Sequence, residues 1–228
     1  MYKNFVLAKN KLRKFQQISN YSHVFEPTIE VLNSEYRYKG KWKSEVFKNN
    51  NPIILELGCG KGEYSVALAD KYPQKNFIGV DIKGARIWKG ATDSLSKKLT
   101  NIAFLRVRIE WIEHCFDSNE IDEIWITFPD PQLKFRRSNK RLTHPNFLKK
   151  YNKILNKTGV IHLKTDNNFL HAYTLGILDG QSHSIEYSSN DIYNADHLYE
   201  HLEIKTYYEQ KYLEKGMPIT YVKFRLNY

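Results

Sequence analysis

The stretch Ile54-Leu55-Glu56-Leu57-Gly58-Cys59-Gly60-Lys61-Gly62 decides how this 228-residue chain is read. The apolar run over residues 52–57 predicts a buried strand, and it ends on an acid and three alternating glycines. Residues 64–71 follow with the amphipathic spacing of a helix. The unit is therefore strand, glycine turn, helix, and backbone free of side chains at the turn lets a nucleoside cofactor approach closely. Its spacing is G-x-G-x-G, not the G-x-G-x-x-G of a pyrophosphate binder. With Glu56 in front of it, the loop suits S-adenosylmethionine, which has no phosphate to seat on a helix N-terminus.

Strand and helix patterns alternate onward from this unit. Strands are expected over residues 53–57, 76–81, 102–107, 121–128 and 159–164. Helices are expected over 63–72, 84–99, 111–116, 145–156 and 168–178, with Phe147, Leu148, Tyr151 and Leu155 at helical spacing in the fourth. Such alternation implies a parallel sheet covered on both faces. The last fifty residues break the rhythm. Residues 184–188 and 220–226 alternate apolar and polar, as an antiparallel edge pair does, and a helix over 203–214 lies between them, stopped by Gly216 and Pro218. The expected fold is α/β: a doubly wound, mostly parallel seven-stranded sheet of the Rossmann-like kind, with an antiparallel pair at its C-terminal end. Residues 1–48 read as a basic N-terminal extension without a clear strand, and 49–228 as one domain.

A hydrophobic content of 41% supports a globular core. No apolar run approaches the ~18–20 residues that span a bilayer. Cys59 and Cys115 are too few for a disulfide framework or a metal site, so a reduced, cytoplasmic protein without metal is expected, as a monomer or homodimer. The net charge of +10 favours a polyanionic partner. Two basic segments contain no acid: residues 1–25 (Lys3, Lys9, Lys11, Arg13, Lys14) and residues 131–150, where Lys134, Arg136, Arg137, Lys140, Arg141, Lys149 and Lys150 fall.

Asp81 ends the second strand, where an acid accepts hydrogen bonds from a ribose hydroxyl pair. Glu56, at the end of the first, either orients the glycine loop or reaches the methionyl amine. Thr127-Phe128-Pro129-Asp130-Pro131 closes the fourth strand beside the first, at the sheet edge where doubly wound folds bind ligands. The prolines fix the backbone and hold Asp130 toward the cofactor. Arg136, Arg137, Lys140 and Arg141 then follow, placed to grip phosphates on either side of a base presented to Asp130. Asp166 ends the fifth strand on the same edge. Thr206-Tyr207-Tyr208-Glu209 offers hydroxyl and carboxylate acceptors, or is simply the start of an amphipathic helix.

From about Phe25 to its C-terminus the chain resembles the bacterial tRNA (guanine-N7)-methyltransferases. The resemblance rests on Glu-Leu-Gly-Cys-Gly-Lys-Gly (56–62), Gly-Val-Asp (79–81), Phe-Pro-Asp-Pro (128–131), Lys134 followed by Lys140-Arg141, Leu-Lys-Thr-Asp (163–166) and Thr-Tyr-Tyr-Glu (206–209). It implies that Glu56, Gly58, Gly60, Asp81 and Asp130 hold S-adenosylmethionine and that Asp130 also faces the target guanine as the catalytic residue. It further implies that Lys134, Asp166, Thr206, Tyr207, Tyr208 and Glu209 contact the tRNA. Two positions depart from the pattern. The acid that follows the third strand in the family is Arg108 here, with Glu110 the nearest carboxylate at the cofactor, and the aromatic after the second proline is Gln132.

Two alternatives remain at this level. An amino methyltransferase also uses an Asp-Pro turn after the fourth strand, but it calls for an aromatic close behind, where this chain has Gln132-Leu133. A non-catalytic RNA-binding module with the same fold would have no need of Gly58, Gly60, Gly62, Asp81 and Asp130 together. A nicotinamide-dependent dehydrogenase fits least, given the glycine spacing.

Overall fold

The strands of the computed structural model are β1 (Val24–Phe25), β2 (Ile53–Leu57), β3 (Asn76–Asp81), β4 (Ile102–Arg106), β5 (Ile121–Thr127), β6 (Leu155–Thr165), β7 (Ser184–Ser189) and β8 (Thr220–Arg225). The structure describes residues 12–195 and 199–228. One sheet contains all eight strands in the order β1-β4-β3-β2-β5-β6-β8-β7. From β1 through β6 every pairing is parallel, and β8 runs antiparallel to both β6 and β7. The strand order reverses between β2 and β5, which places the topological switch point at the glycine turn.

The helices are α1 (residues 12–18), α2 (Ile29–Asn33), α3 (Glu63–Lys71), α4 (Gly84–Ser96), α5 (Ile112–Cys115), α6 (Pro145–Ile154), α7 (Asn168–Gly180) and α8 (Tyr207–Leu213). Every side chain of β2 is buried, as a strand covered on both faces requires. Alternation sorts them. Ile53, Leu55 and Leu57 join the layer formed with Trp42, Phe147, Leu148 and Leu170. Ile54 joins the opposite layer, with Tyr64 and Val66 of α3, Ile87 of α4, Phe104 and Trp125. The two cysteines are split between these layers: Cys115 lies in the first and Cys59 in the second, both buried. Burial raises the Cys115 thiol to about 12, and burial together with Glu56 and Asp81 raises that of Cys59 well above its ordinary value.

The structure differs from expectation in four places. The sheet has eight strands, because Val24–Phe25 pairs with Phe104–Leu105 and adds a short edge strand to a segment expected to have none. Residues before 49 also enter the core: Leu32, Tyr36, Trp42 and Phe47 pack in the same layer as β2, and the Trp42 indole donates to the Cys115 carbonyl at 3.0 Å. Of the basic N-terminal residues, Arg13 and Lys14 lie in α1, while Lys3, Lys9 and Lys11 lie outside the described residues. Strand β6 starts at Leu155, paired with Ile121, which ends α6 at Ile154. The helix expected over 203–214 is shorter because Thr206 and Glu209 form a capping box that starts α8 at Tyr207.

Candidate active site and nucleic-acid interface

Side-chain alternation places Glu56, Thr127 and Lys164 on one face of three adjacent strands, at their carboxyl ends. Thr127 and Lys164 are register partners, as are Glu56 and Trp125. Glu56 is buried. It accepts from the backbone N–H of Ser65 at 2.9 Å, from the Ser65 hydroxyl, and through Oε1 from Thr127 Oγ1 at 2.5 Å. One carboxylate thus fastens the first turn of α3 and the end of β5 to β2. Burial raises its pKa to about 7, against the hydrogen bonds from Ser65 and Thr127.

The glycine turn has the backbone that its spacing predicts. Gly58, Gly60 and Gly62 have φ of 78°, 57° and 71°, which other residues adopt only under strain. They serve different ends. A Cβ on Gly62 would stand 2.7 Å from Phe104 Cε1 and 3.2 Å from Gly90 Cα, so this glycine lets α3 pack. A Cβ on Gly58 would meet nothing within 4 Å, and one on Gly60 only the Gly58 carbonyl at 4.0 Å. Both line a cavity with Glu56, Tyr64, Thr206 and Tyr208. Asp81 holds the turn from β3: Oδ2 accepts from Gly60 N at 3.0 Å and Oδ1 from Lys83 N at 2.7 Å.

A second, broader cavity of ≈ 800 Å³ adjoins the first and shares Gly58, Arg86 and Phe128 with it. Its walls bring together Asp81, Arg108, Glu110, Asp130, Arg136, Arg137 and Lys140, residues from four separate segments of the chain. Asp130 stands at the rim, exposed, between two residues of positive φ, Phe128 (47°) and Gln132 (47°). Its Oδ1 accepts from Gln132 N at 3.0 Å, and Oδ2 has no hydrogen-bond partner among the described residues. Strained backbone of this kind persists only where its surroundings hold it. Here Phe128 N donates to the Lys164 carbonyl at 2.8 Å, and Arg141 supports the other limb.

That role for Arg141 corrects the expectation that it grips phosphate. The side chain is 5% exposed. Its guanidinium donates to the carbonyls of Pro131 (3.3 Å) and Gln132 (3.1 Å) and lies over the rings of Tyr173 (4.4 Å) and Phe169 (4.8 Å). All of its cationic reach is spent within the fold.

Glu209 is likewise committed elsewhere than to a substrate. It is fully buried, 2.6 Å from Lys164 Nζ, and accepts from Tyr193 OH at 2.7 Å and from Thr206 N at 3.3 Å. Lys164, equally buried, donates further to the carbonyls of Leu202 (3.0 Å) and Ile204 (3.1 Å). Burial lowers the Lys164 pKa against the pull of Glu209. This pair clips the segment before α8 to the sheet and sets Thr206 and Tyr208 at the cavity. Tyr207 N donates to Glu63 at 2.8 Å, which joins the same segment to α3.

The other expected residues are placed as follows. Lys134 is exposed and precedes a 3₁₀ helix over Phe135–Lys140. Asp166 is half-buried just beyond β6 and accepts from Tyr212. Arg108 and Lys140 each pair with Glu110 at 3.2 Å. Partial burial works to raise the Glu110 carboxyl, but its own backbone N–H, Lys140 and Arg108 prevail and hold it below its ordinary range. Sequence reasoning missed Ser65 and Thr127 as holders of Glu56, Arg86 in both cavities, and Lys164 as a clip. For Lys164 a signal existed, a lysine inside the strand run Val160-Ile161-His162-Leu163-Lys164-Thr165 and not in a polar loop. Among the described residues there is no cluster of side chains able to hold a metal ion, and no helix long and apolar enough to cross a membrane.

Comparison with known proteins agrees with this geometry. A family model described as "Putative methyltransferase" matches residues 50–222. A tRNA (guanine-N(7)-)-methyltransferase of Christiangramia forsetii is 51% identical over 96% of this chain and 99% of its own. One of the same name from Bacteroides fragilis is 50% identical over 96% of this chain and 87% of its own. Among solved structures, the 16S rRNA methyltransferase KamB superposes with a TM-score of 0.63 over 81% of this chain and 92% of its own, at 10% identity, a likeness of fold alone. The chain belongs to the tRNA (guanine-N(7)-)-methyltransferase family.

Proposed function

We propose that this protein transfers a methyl group from S-adenosylmethionine to N7 of a guanine in tRNA. The observation that carries the reading is 51% identity, along nearly the whole chain, to a protein of that name. The double cavity supports it. Gly58 and Gly60 leave backbone open to a nucleoside, Asp81 in the wall of the broad cavity would accept from a ribose, and Glu56 lines the first cavity with its carboxyl raised to about 7 by burial. S-adenosylmethionine bound there supplies an electrophilic methyl carried on a sulfonium. A cytoplasmic location accords with a tRNA substrate.

Guanine N7 has an in-plane lone pair and no proton, so the reaction needs no strong general base. The protein's work is alignment and charge. Asp130, at the rim of the broad cavity with Oδ2 unengaged, would accept from the guanine N1/N2 edge and offset the positive charge that the purine gains. Arg136, Arg137 and Lys140 line the same cavity and suit backbone phosphates, and Lys134 and Asp166, outside its lining, would contact the tRNA beyond it. Thr206 and Tyr208 close the cofactor side. Extruding a stacked base costs roughly a few kcal/mol, which phosphate contacts offset.

The test is incubation with methyl-labelled cofactor and an unmodified tRNA transcript, followed by nucleoside analysis. Label in N7-methylguanosine is expected, and label in an exocyclic amine would overturn the reading. Asp130→Ala should abolish transfer while cofactor binding persists; an active Asp130→Ala enzyme would remove the role given to that carboxylate.

A further inference from the structure

The 3₁₀ helix Phe135–Lys140 makes a turn every three residues, so positions i and i+3 share a face. Two of its three rows, Arg136 with Asn139 and Arg137 with Lys140, line the broad cavity. The third row, Phe135 and Ser138, does not. Phe135 is 90% exposed, and no other large apolar side chain among the described residues is as exposed.

A lone exposed ring is ordinary on a protein surface and by itself calls for no partner. Three observations set this one apart. The loop beneath it is fixed, since Arg141 binds the carbonyls of Pro131 and Gln132 and packs on Tyr173 and Phe169. The ring is flanked in sequence by Lys134, Arg136 and Arg137, a setting that favours a polyanion over an apolar protein surface. It is also the immediate chain neighbour of Arg136, which lines the cavity that holds Asp130. A rigid aromatic face among phosphate-binding cations is the arrangement on which unpaired bases stack.

The geometry points to Phe135 as a base-stacking residue for a tRNA nucleotide adjoining the target guanosine, an assignment that rests on the function proposed above. Extrusion of the guanine strips its neighbour of one stacking partner. The Phe135 ring, on the row of the 3₁₀ helix outside the cavity, replaces that partner, while Arg136, Arg137 and Lys140 hold the phosphates inside. Its contribution is to tRNA affinity, not to the cofactor or the chemical step.

The test is equilibrium binding of an unmodified tRNA transcript to the S-adenosylhomocysteine-saturated protein, over a range of salt, for wild type, Phe135→Ala, Phe135→Leu and Phe135→Trp. Phe135→Ala should weaken binding about tenfold, the effect of losing one stacked base. Phe135→Trp should restore it and Phe135→Leu should not. The slope of log K against log salt should match wild type in all four, because no phosphate contact is lost. S-adenosylhomocysteine affinity and melting temperature should also be unchanged. Binding by Phe135→Ala within twofold of wild type, full rescue by Phe135→Leu, or a reduced salt slope would each overturn the assignment. Nucleoside analysis of the wild-type product separates this inference from the broader one. A methylated position other than guanine N7 refutes the proposed reaction, while the binding ratios still decide whether Phe135 stacks.

Discussion

Replacing Lys164 by methionine tests the clip that holds the C-terminal segment over the cofactor cavity. The ammonium is fully buried and engaged by Glu209 and by the Leu202 and Ile204 carbonyls, so its removal leaves the Glu209 carboxylate buried with no counter-charge. Breaking such a pair costs about 3–5 kcal/mol, whereas replacing both partners by apolar groups is often neutral. At ~2–4 °C per kcal/mol for a chain of this size, Lys164→Met should lower the melting temperature by roughly 6–20 °C. Lys164→Met/Glu209→Leu should recover most of that loss. Local release of the segment can intercept part of the cost, so hydrogen exchange over residues 200–214 should accelerate before the sheet opens. Glu209→Gln supplies a signature in pH. Without the carboxylate the Lys164 pKa falls further, and the unfolded chain keeps a proton that the folded chain has shed. Stability of that variant should therefore rise more steeply than in wild type as pH climbs toward the ordinary lysine value of 10.5. A single Lys164→Met variant as stable as wild type, or no better when Glu209→Leu is added to a damaged Lys164→Met, would refute the reasoning.

Glu56, with its pKa raised to about 7 by burial, holds a proton in the folded state that the unfolded carboxylate has lost above pH 4.5. Its contribution should make stability fall as pH rises from about 4.5 to about 7, by roughly 3 kcal/mol in all, and then level off. Urea midpoints at pH 5 and pH 8 should show that part of the slope missing in Glu56→Gln; the same slope in both proteins would contradict it. Gly58→Ala and Gly62→Ala share a positive φ that costs about 1–2 kcal/mol, but only the second also collides with Phe104. Calorimetry should find Gly58→Ala folded with weakened cofactor binding, and thermal scans should find Gly62→Ala the less stable of the two. Arg141→Lys, which loses the planar fork and the ring contacts, should destabilise by about 1–2 kcal/mol. Arg137→Ala should leave the melting temperature alone and reduce the salt slope of tRNA binding by ~0.7–0.9.

The elements that sequence reading placed well are those whose signal is local. The turn at Gly58–Gly62 announces itself because positive φ demands glycine, and β3 over Asn76–Asp81 lies between a proline-led stop and a helix. Strand β1 was illegible because two residues carry no period; only pairing with Phe104 and Leu105 makes it a strand. The site divided along the same line. Asp81 and Asp130 could be located from strand ends, and both line the broad cavity. Arg141 and Glu209 were misassigned to substrate because a charged residue in a polar stretch looks solvated. Their burial depends on Tyr173 and Phe169 in one case and on Lys164 in the other, partners 28 to 45 residues away in sequence. The 3₁₀ rows that separate Phe135 from Arg137 also needed three dimensions, since a run of cations has no visible inside and outside.

The division of the two thiols between opposite faces of the sheet has a practical consequence. Both are buried, and burial keeps both protonated at neutral pH, so alkylating reagents react slowly until the surrounding layer opens. Modification of Cys59 then clocks the loosening of the glycine turn, and modification of Cys115 the loosening of the layer around Trp42. The chain carries a native pair of labels from which the breathing of each side can be timed without adding a probe.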